Sequence, residues 1–166
     1  MGARNFLIEG VSCTGKTSVC KELQRRGYHA INGDTDLAYQ GDPATGAPTS
    51  GHEHAHHIWC LEKVQRLTSN REAPVTFFCG GSRNFPAFIH LFDGVFVLEV
   101  DEATLLQRLH ARHDEFGSKP AERELILRLH RTGEDIPTGG TRIDATRSLT
   151  EVVDEILRFA HHDGAA

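Results

Sequence analysis

A glycine-bounded stretch near the start of the chain carries residue types that can hold a phosphate. Residues 6–20, FLIEGVSCTGKTSVC, contain the spacing G-x-x-x-x-G-K-[ST], which Gly10, Gly15, Lys16 and Thr17 satisfy in full. In such a loop the glycines let backbone N–H groups converge on a β-phosphate, the lysine reaches the outer phosphate oxygens, and the hydroxyl ligates Mg²⁺. The stretch lies between an apolar run and an amphipathic segment, so it predicts a strand, a phosphate-binding loop and a helix.

Two carboxylates follow the second apolar run and are candidates for chemistry on that phosphate. Asp34 and Asp36 are separated by one residue in the stretch NGDTDLAY. In an extended segment, residues two apart point to the same side, so both side chains are expected to face the terminal phosphate. One would hold a water of the Mg²⁺ shell and the other would accept the proton of an attacking hydroxyl. The sequence does not decide which aspartate has which role.

Short apolar runs alternate along the chain with segments of helical period, which is typical of a mostly parallel sheet covered by helices on both faces. The predicted strands are residues 5–9, 28–32, 74–79, 94–100 and 141–145. Helices are predicted to begin near Lys16, His54, Phe85, Asp101, Ala121 and Ser148. Gly27 predicts the end of the first helix, and Ser148 with Glu151 predicts a capping box. Residues 41–51 and 113–122, rich in glycine or marked by proline, are predicted to be mobile loops.

Composition limits the classes of function. A chain of 166 residues fits one domain. Its 18 Lys and Arg against 23 Asp and Glu give a net charge of −5, which argues against a general binder of nucleic acid or of anionic membranes. The cysteines have no CxxC spacing and the first apolar run is too short for a signal peptide, so a cytoplasmic protein with free thiols is expected.

The order of motifs resembles that of the P-loop small-molecule kinases, the group of shikimate kinases, adenylate-kinase-like nucleotide kinases and related nucleoside and antibiotic kinases. The motifs are GVSCTGKT, DTD after the second strand, CGGSRN after the third, LEVDEATLLQRLHAR at the fourth and RIDATRSL near the end. The resemblance implies a three-layer α/β P-loop NTPase fold, with a five-stranded parallel sheet of order 2-3-1-4-5, helices on both faces and a short lid. It implies a single kinase domain over residues 1–166, with an acceptor-binding insert at about 37–60 and a lid at about 113–122.

The same resemblance implies ATP and Mg²⁺ as cofactors and assigns residues to them. The nucleotide-binding residues would be Gly10, Cys13, Thr14, Gly15, Lys16, Thr17, Ser18, Arg108 and Arg147. Thr17 and Asp34 would hold the metal. Arg108 would stack on adenine, and Arg112, four residues later on the same helix face, would reach the phosphates at the root of the lid. Further lid cations, which the sequence does not rank, are Lys119, Arg123, Arg128 and Arg131.

The resemblance also assigns the catalytic residues and most of the acceptor-binding residues, to which the side-chain chemistry of Trp59 and Arg83 adds two more. The catalytic residues would be Lys16, Asp34, Asp36 and Arg112, and the acceptor-binding residues Asp36, Trp59, Gly80, Gly81 and Arg83. Between Gly33 and Leu61 the chain has no Arg or Lys, although kinases of nucleoside monophosphates and of shikimate need cations in this region. The interpretation is a weakly charged hydroxyl acceptor that is nucleoside-like, sugar-like or an antibiotic.

Histidines 52, 54, 56 and 57 are dense in this insert. They are expected to be a pocket wall or a solvated helix start, with a Zn²⁺ or Ni²⁺ site as the least favoured interpretation.

Other functions remain open at this stage. The nearest is a nucleoside monophosphate kinase. A nucleotide-dependent ATPase switch acting on a protein partner would place an aspartate at the end of the third strand, where Cys79-Gly80-Gly81 stands instead. A polynucleotide kinase would need a basic track, which the acidic composition does not favour. A monomer or homodimer is expected, without nucleic-acid or membrane partners, and the choice between ATP and GTP is not determined.

Overall fold

The computed structural model describes residues 3–162 of the chain. The strands are β1 Arg4–Glu9, β2 His29–Asn32, β3 Ala38–Gln40, β4 His57–Trp59, β5 Val75–Cys79, β6 Gly94–Glu99 and β7 Thr141–Asp144. The α-helices are α1 Lys16–Arg25, α2 Gly33–Asp36, α3 Leu61–Ser69, α4 Glu102–His110, α5 Pro120–Thr132 and α6 Leu149–His162. The strands of the predicted sheet therefore lie within one or two residues of their expected positions.

Five parallel strands form the main sheet, in the order β2-β5-β1-β6-β7. Numbered among themselves along the chain, these strands have the order 2-3-1-4-5, which confirms the predicted fold. β1 is central, and Ile8 pairs with Cys79 on one side and Phe96 on the other. Because the strands are parallel, their carboxyl ends meet at one edge of the sheet, where ligands of open α/β sheets bind.

The core has a layer on each face of the sheet. Phe6 and Ile8 of β1 belong to one buried cluster, which includes residues of α1, α4, α5 and α6. Leu7 belongs to a second cluster, on the other face, with Phe78 and Trp59. Side chains of a strand alternate between the two faces, so the continuous apolar run of β1 buries both sides. The result is the predicted three-layer architecture.

The insert differs from its predicted secondary structure. Residues 38–40 and 57–59 form an antiparallel pair, β3 and β4, which the sequence did not predict. The helix expected from His54 is a single 3₁₀ turn, His54–His56, because the chain continues into β4, and α3 begins only at Leu61. The helix expected from Phe85 is likewise two short 3₁₀ turns, Phe85–Ala87 and Ile89–Leu91.

Helix ends follow the predicted signals closely. Gly27 has a φ of +88°, the left-handed conformation in which glycine commonly ends a helix. Ser148 and Glu151 form the predicted capping box, with the Ser148 hydroxyl and backbone N–H both donating to the Glu151 carboxylate. These two ends fix where α1 stops and where α6 begins.

Candidate functional site

A cavity of 1210 Å³ opens at the carboxyl edge of the sheet. Its walls come from five parts of the chain: the phosphate loop, the carboxyl ends of β2 and β5, the insert, the α4–α5 segment and the loops around β7. The charged residues that line it include Lys16, Asp34, Glu53, Arg83, Arg108, Arg112, Lys119, Asp135 and Arg147. The topology thus brings together residues that are up to 131 positions apart, counted from Lys16 to Arg147.

The phosphate loop joins β1 to α1 in a conformation that its sequence requires. Gly10 has a φ of +151° and Gly15 a φ of +102°. A Cβ on Gly10 would lie 2.6 Å from Thr14 Oγ1 and 2.9 Å from the Leu98 carbonyl oxygen, so only glycine fits. Thr14 is buried and its hydroxyl donates to the Val11 carbonyl (2.8 Å), which closes the loop on itself. The loop therefore presents its backbone to the cavity ahead of the α1 N-terminus, an arrangement that suits an anion.

Cys13 is the non-glycine residue of this loop with a left-handed backbone, at a φ of +72°. Its side chain is buried, and burial raises the pKa of the thiol. Cys13 contacts Arg108 through its backbone, because the Cys13 carbonyl accepts a hydrogen bond from the Arg108 guanidinium (3.1 Å). Thr17 and Ser18 follow at the first turn of α1 and are exposed to the cavity.

Lys16 folds back over the loop that precedes it. Its Nζ donates to the carbonyl oxygens of Gly10 and Val11, the second at 3.0 Å. Burial lowers the pKa of Lys16, and the Glu9 carboxyl opposes that effect. The ammonium group therefore lies on the cavity side of the loop, next to the position that a bound phosphate would take.

Glu9 lies directly behind the phosphate loop, and its position there was not predicted. It is the last residue of β1, only 1% exposed, and one carboxylate oxygen accepts a hydrogen bond from the Gly10 N–H (3.1 Å). A Cβ on Gly81 would lie 2.9 Å from that oxygen, so Glu9 fills the space between the phosphate loop and the turn after β5. Burial raises the pKa of Glu9 to about 8, against the lowering effect of Lys16. The signal in the sequence was a charged residue at the end of an otherwise apolar strand.

Two arginines of the α4 region connect the phosphate loop to its neighbours. Arg108 donates to the carbonyl oxygens of Cys13 (3.1 Å) and Ala145 (2.9 Å), which joins the loop to the segment after β7. Arg112 donates to Ser12 Oγ (3.2 Å) and to the Phe116 carbonyl. Both line the cavity, as expected, but in this conformation Arg108 binds backbone oxygens with both of its terminal nitrogens. Arg147 also lines the cavity and forms an ion pair with Glu155.

The two candidate aspartates do not act as a pair. They lie in α2, a single helical turn rather than the extended segment that was expected, and the Asn32 side chain caps this turn by accepting from the Asp34 N–H (3.1 Å). Residues two apart in a helix differ in direction by about 200°. As a result Asp34 lines the cavity, with its side chain 39% exposed, whereas Asp36 is not among the residues that line it. The expectation that both carboxylates face one point is wrong for this reason.

Asp34 is held by a histidine from the insert. His57 Nε2 lies 3.0 Å from Asp34 Oδ1, across from β4 to α2. Burial raises the pKa of the Asp34 carboxyl, but the hydrogen bond with His57 and the positive charge of Lys16 outweigh burial, so the pKa lies below its ordinary value. Asp34 is therefore ionised at neutral pH.

A second charged group lies on the same side of the cavity, centred on Asp135. Arg83 Nη1 lies 2.6 Å from Asp135 Oδ2, and His54 Nε2 lies 3.1 Å from the same oxygen. The His54 ring is also stacked on Phe116, with centroids 5.6 Å apart and planes at 8°. Asp135 lies in the loop between α5 and β7 and was not predicted, since nothing in the sequence near it marks a site.

Trp59 does not line the cavity, contrary to its prediction as an acceptor-binding residue. Its side chain is 1% exposed and stacks on Phe88, with centroids 5.4 Å apart. Gly33 and Gly80 pack against the indole, because a Cβ would lie 2.1 Å from it at Gly33 and 2.9 Å from it at Gly80. Trp59 is thus a core residue that supports the site from behind, and of the two predicted glycines only Gly81 lines the cavity.

The histidines of the insert are paired with different carboxylates. His54 contacts Asp135, and His57 contacts Asp34. His56 lies 3.4 Å from Glu53. Within residues 3–162 no group of three or more histidine, cysteine, aspartate or glutamate side chains is arranged to hold a metal ion.

None of the helices in the described part of the chain is both long and apolar enough to cross a membrane.

Solved structures with a similar fold support the architecture. A gluconokinase from Sinorhizobium meliloti is 20% identical, with 96% of this chain and 94% of that chain covered, at a TM-score of 0.55. A sugar kinase from a Janibacter species is 14% identical, with 96% and 95% covered, at a TM-score of 0.59. A shikimate kinase from Bacteroides thetaiotaomicron is 12% identical, with 95% and 98% covered, at a TM-score of 0.62. These similarities establish the fold as that of the P-loop small-molecule kinases.

A comparison with curated proteins gives no match. The sequence profile described as AAA domain matches residues 7–128, which extend from β1 through the phosphate loop, the insert and α4 into α5. That match covers more than two thirds of the chain. The chain therefore belongs to the AAA domain family.

Proposed function

We propose that the protein is an ATP-dependent small-molecule kinase that transfers the γ-phosphoryl group of Mg·ATP to a hydroxyl of a weakly charged acceptor. The observation that carries this proposal is the presence, in one cavity, of a complete phosphate loop and of the ionised, histidine-bound carboxylate of Asp34. A loop of this type binds the donor, and a carboxylate opposite it can receive a proton from an alcohol. Solved structures of the same fold bear the names gluconokinase, sugar kinase and shikimate kinase, which agrees with this class of reaction.

The donor would occupy the half of the cavity nearest α1. The backbone from Gly10 to Ser18 would surround the phosphates, and Arg108 and Arg147 would flank the base, beside the segment after β7. Lys16 would leave the carbonyl oxygens that it now contacts and bind the outer phosphate oxygens, and Arg112 would add positive charge to the transferring group.

Thr17 would bind Mg²⁺ through its hydroxyl and Asp34 would hold a water of the ion's shell, because hydroxyl and carboxylate oxygens are the hard donors that suit this ion and its bound water. Mg²⁺ takes only one or two protein ligands when phosphates and water complete its shell, so the lack of a larger acidic cluster among residues 3–162 is compatible with it. When bound, the ion would neutralise charge on the phosphates.

Asp34 would accept the proton of the acceptor hydroxyl as its oxygen attacks the γ-phosphorus. The bond that forms joins the acceptor oxygen to phosphorus, the bond that breaks joins phosphorus to the β–γ bridging oxygen, and ADP leaves. We assign this role to Asp34 rather than Asp36, since only Asp34 lines the cavity. His57 would keep Asp34 oriented and ionised through its hydrogen bond.

We also propose a single kinase domain in which residues 113–122 act as a lid and residues 37–60 as the acceptor-binding insert. Lys119 is the lid cation that we assign to the phosphates, because it lines the cavity. Arg123 donates to the Gly117 carbonyl, Arg131 pairs with Glu102, and Arg128 pairs with Glu134. The proposed setting is the cytoplasm, with a small molecule as partner and without nucleic acid or membrane.

The test is ADP formation from Mg·ATP, alone and with pools of polyols, sugars, nucleosides, hydroxyl-bearing antibiotics and nucleoside monophosphates. Mass spectrometry would identify the compound that gains a phosphoryl group. Stimulation by a neutral pool supports the proposal, and stimulation by monophosphates alone would support a nucleoside monophosphate kinase instead. ATP hydrolysis at the same rate with and without every pool would favour a nucleotide-dependent switch acting on a protein partner.

Lys16→Ala provides the site control for this test. It should abolish the stimulated reaction, whereas Lys21→Ala, on the exposed side of α1, should not.

A further inference from the structure

We propose that Asp135 is a specificity-determining residue that makes the site reject anionic acceptors and select neutral polyhydroxy compounds such as sugars or polyols. This inference rests on the proposed kinase function and names the acceptor class of that site. The inference is based on the ion pair between Asp135 and Arg83. In this pair the guanidinium of Arg83, the cation that faces the acceptor half of the cavity, is already bound to a carboxylate. A polyol differs from an anionic acceptor in that it does not need this cation to be free.

The ion pair fixes both the charge and the direction of Arg83. The Arg83 Nη1 atom lies 2.6 Å from Asp135 Oδ2 and also donates to the Asp135 backbone carbonyl (3.0 Å). The side chains are 12% and 9% exposed, respectively. One residue therefore binds the same guanidinium nitrogen through its side chain and its backbone, and little of that nitrogen's hydrogen-bonding capacity is left for a ligand.

The surroundings of the pair strengthen it. On its other side lies a second cavity of 450 Å³, to which Leu125 and Leu129 of α5 contribute apolar side chains. Ion pairs are screened less in such an environment than at an open surface. Burial raises the pKa of Asp135, but the hydrogen bond with His54 and the charge of Arg83 outweigh it and keep the pKa below its ordinary value. The carboxylate is therefore charged across the neutral pH range.

An anionic acceptor would have to compete with this carboxylate. A carboxylate or phosphate could use Arg83 Nη1 only by displacing Asp135, which would then be a buried charge without its partner, and an anion bound at Arg83 Nε or Nη2 would lie beside the Asp135 carboxylate, which repels it. The insert adds no Lys or Arg beside Arg83, because the insert residues that line the cavity are Gln40, His52, Glu53, His54 and His57.

A neutral hydroxyl group fits the hydrogen-bonding capacity that the pair still has. Asp135 Oδ1 and Arg83 Nε are both buried and have no hydrogen-bond partner within the described residues. One is an acceptor and the other a donor, and buried polar atoms of this kind are normally paired. A hydroxyl donates and accepts, whereas a carboxylate only accepts and an ammonium group only donates. A small shift of the pair toward a bound polyol would supply both missing partners.

The test compares acceptors that share a skeleton and differ in charge: glucitol with gluconate, shikimate methyl ester with shikimate, and guanosine with GMP. For the pair that is phosphorylated, wild-type kcat/KM should favour the neutral member roughly tenfold or more, a factor that corresponds to ~1.4 kcal/mol. Asp135→Asn should reduce this preference by roughly tenfold, chiefly through a lower KM for the anion. Glu124→Gln, which removes one charge from the exposed side of α5 outside the cavity, should leave the preference unchanged.

A second variant and the wild-type preference also test the inference. If Asp135→Asn does not fold, Arg83→Gln answers the same question, because it should leave the neutral preference in place, whereas an anion-binding Arg83 would make the KM of the anion rise. Preference for the anionic member by the wild-type enzyme, or equal effects of Asp135→Asn and Glu124→Gln, would overturn the inference alone. Absence of any transfer by the wild-type protein would overturn the proposed function and this inference with it.

Discussion

His57 Nε2 and Asp34 Oδ1 lie 3.0 Å apart, in a contact that joins the insert to the turn after β2. His57 belongs to β4, which pairs with β3, so the position of the histidine is set by this antiparallel strand pair and not by the phosphate loop. The contact gives Asp34 a fixed direction and a lowered pKa. Asp36 is not among the residues that line the cavity, and its Oδ1 accepts a hydrogen bond from the neighbouring Thr35 hydroxyl instead.

Exchanging each aspartate separately should identify the base. Asp34→Asn should reduce kcat by roughly 10²–10⁴-fold, the usual contribution of general acid–base catalysis. Asp36→Asn should change kcat little, because that carboxylate is outside the cavity. Single-turnover phosphorylation of the acceptor measures both effects, and the thermal melt of each variant serves as the control for folding. Loss of activity in Asp36→Asn alone would contradict the assignment.

Removal of His57 should move the acid limb of the pH–rate profile. The hydrogen bond from His57 lowers the pKa of Asp34, so in His57→Ala that pKa rises and the rate should begin to fall at a higher pH than in the wild type. The profile of kcat between pH 4 and 8 records the shift. His56→Ala, a neighbouring histidine that contacts Glu53 instead, is the matched control. An unchanged acid limb in His57→Ala would show that Asp34 does not limit the rate there.

Glu9 should make the stability of the protein depend on pH. Its ordinary pKa is 4.5 and burial raises it to about 8, so between these values the folded protein holds a proton that the unfolded chain has released. The free energy of unfolding should therefore be highest at the acidic end of this range and fall as pH rises, by up to ~1.4 kcal/mol per pH unit. Glu9→Gln should flatten this slope.

Urea unfolding at several pH values from 5 to 8 measures how the free energy of unfolding changes with pH. The exposed α5 residue Glu124, changed to Gln, is the control that should keep the wild-type slope. A wild-type slope of zero would mean that Glu9 ionises normally.

The contact between Phe116 and His54 should couple the lid to the insert. The stacked pair joins the proposed lid to the wall that contains Asp135, so its loss should let water reach the donor. Phe116→Ala should increase the ratio of ADP formed without acceptor to ADP formed with it, by roughly 2- to 10-fold for an aromatic pair. Phe116→Tyr keeps the ring and should behave as the wild type. Equal ratios in the wild type and both variants would contradict a role of the lid in excluding water.

A methyl group at Gly33 should destabilise the fold. Its Cβ would lie 2.1 Å from the Trp59 ring, a distance that forces the indole or α2 to move. Gly33→Ala should lower the free energy of unfolding by roughly 1–3 kcal/mol, as overpacking of a core does. Gly139→Ala is the matched control, because nothing lies within 4 Å of a Cβ there. Chemical denaturation of the two variants gives the comparison.

The fold was predictable because its signals are local. The apolar runs of β1, β5 and β6 are continuous, as expected for strands buried on both faces, and Gly27 and Ser148 mark helix ends by their own backbone chemistry. The phosphate loop is equally local, since all of its residues lie between Gly10 and Ser18. In these regions each residue's preference agrees with the final structure.

The acceptor half of the site was less predictable because it depends on contacts between distant segments. Asp135 reaches Arg83 and His54 across 52 and 81 positions of the chain, and no spacing rule connects them. Trp59 could have faced a ligand or the core, and only the packing of Gly33 against its ring decides this. Residues 33–36 form one helical turn where an extended segment was expected, and this turn sets the direction of the Asp36 side chain.

Trp59 is the single tryptophan of the chain, and its packing has a spectroscopic consequence. All indole fluorescence arises from one buried ring, which touches Gly33 directly before Asp34 and Gly80 beside the Asp34 carboxylate. A compound that displaces α2 or the turn after β5 will change the emission of that ring without any dye or label. The protein therefore carries an intrinsic optical reporter, located behind the proposed acceptor side of its cavity.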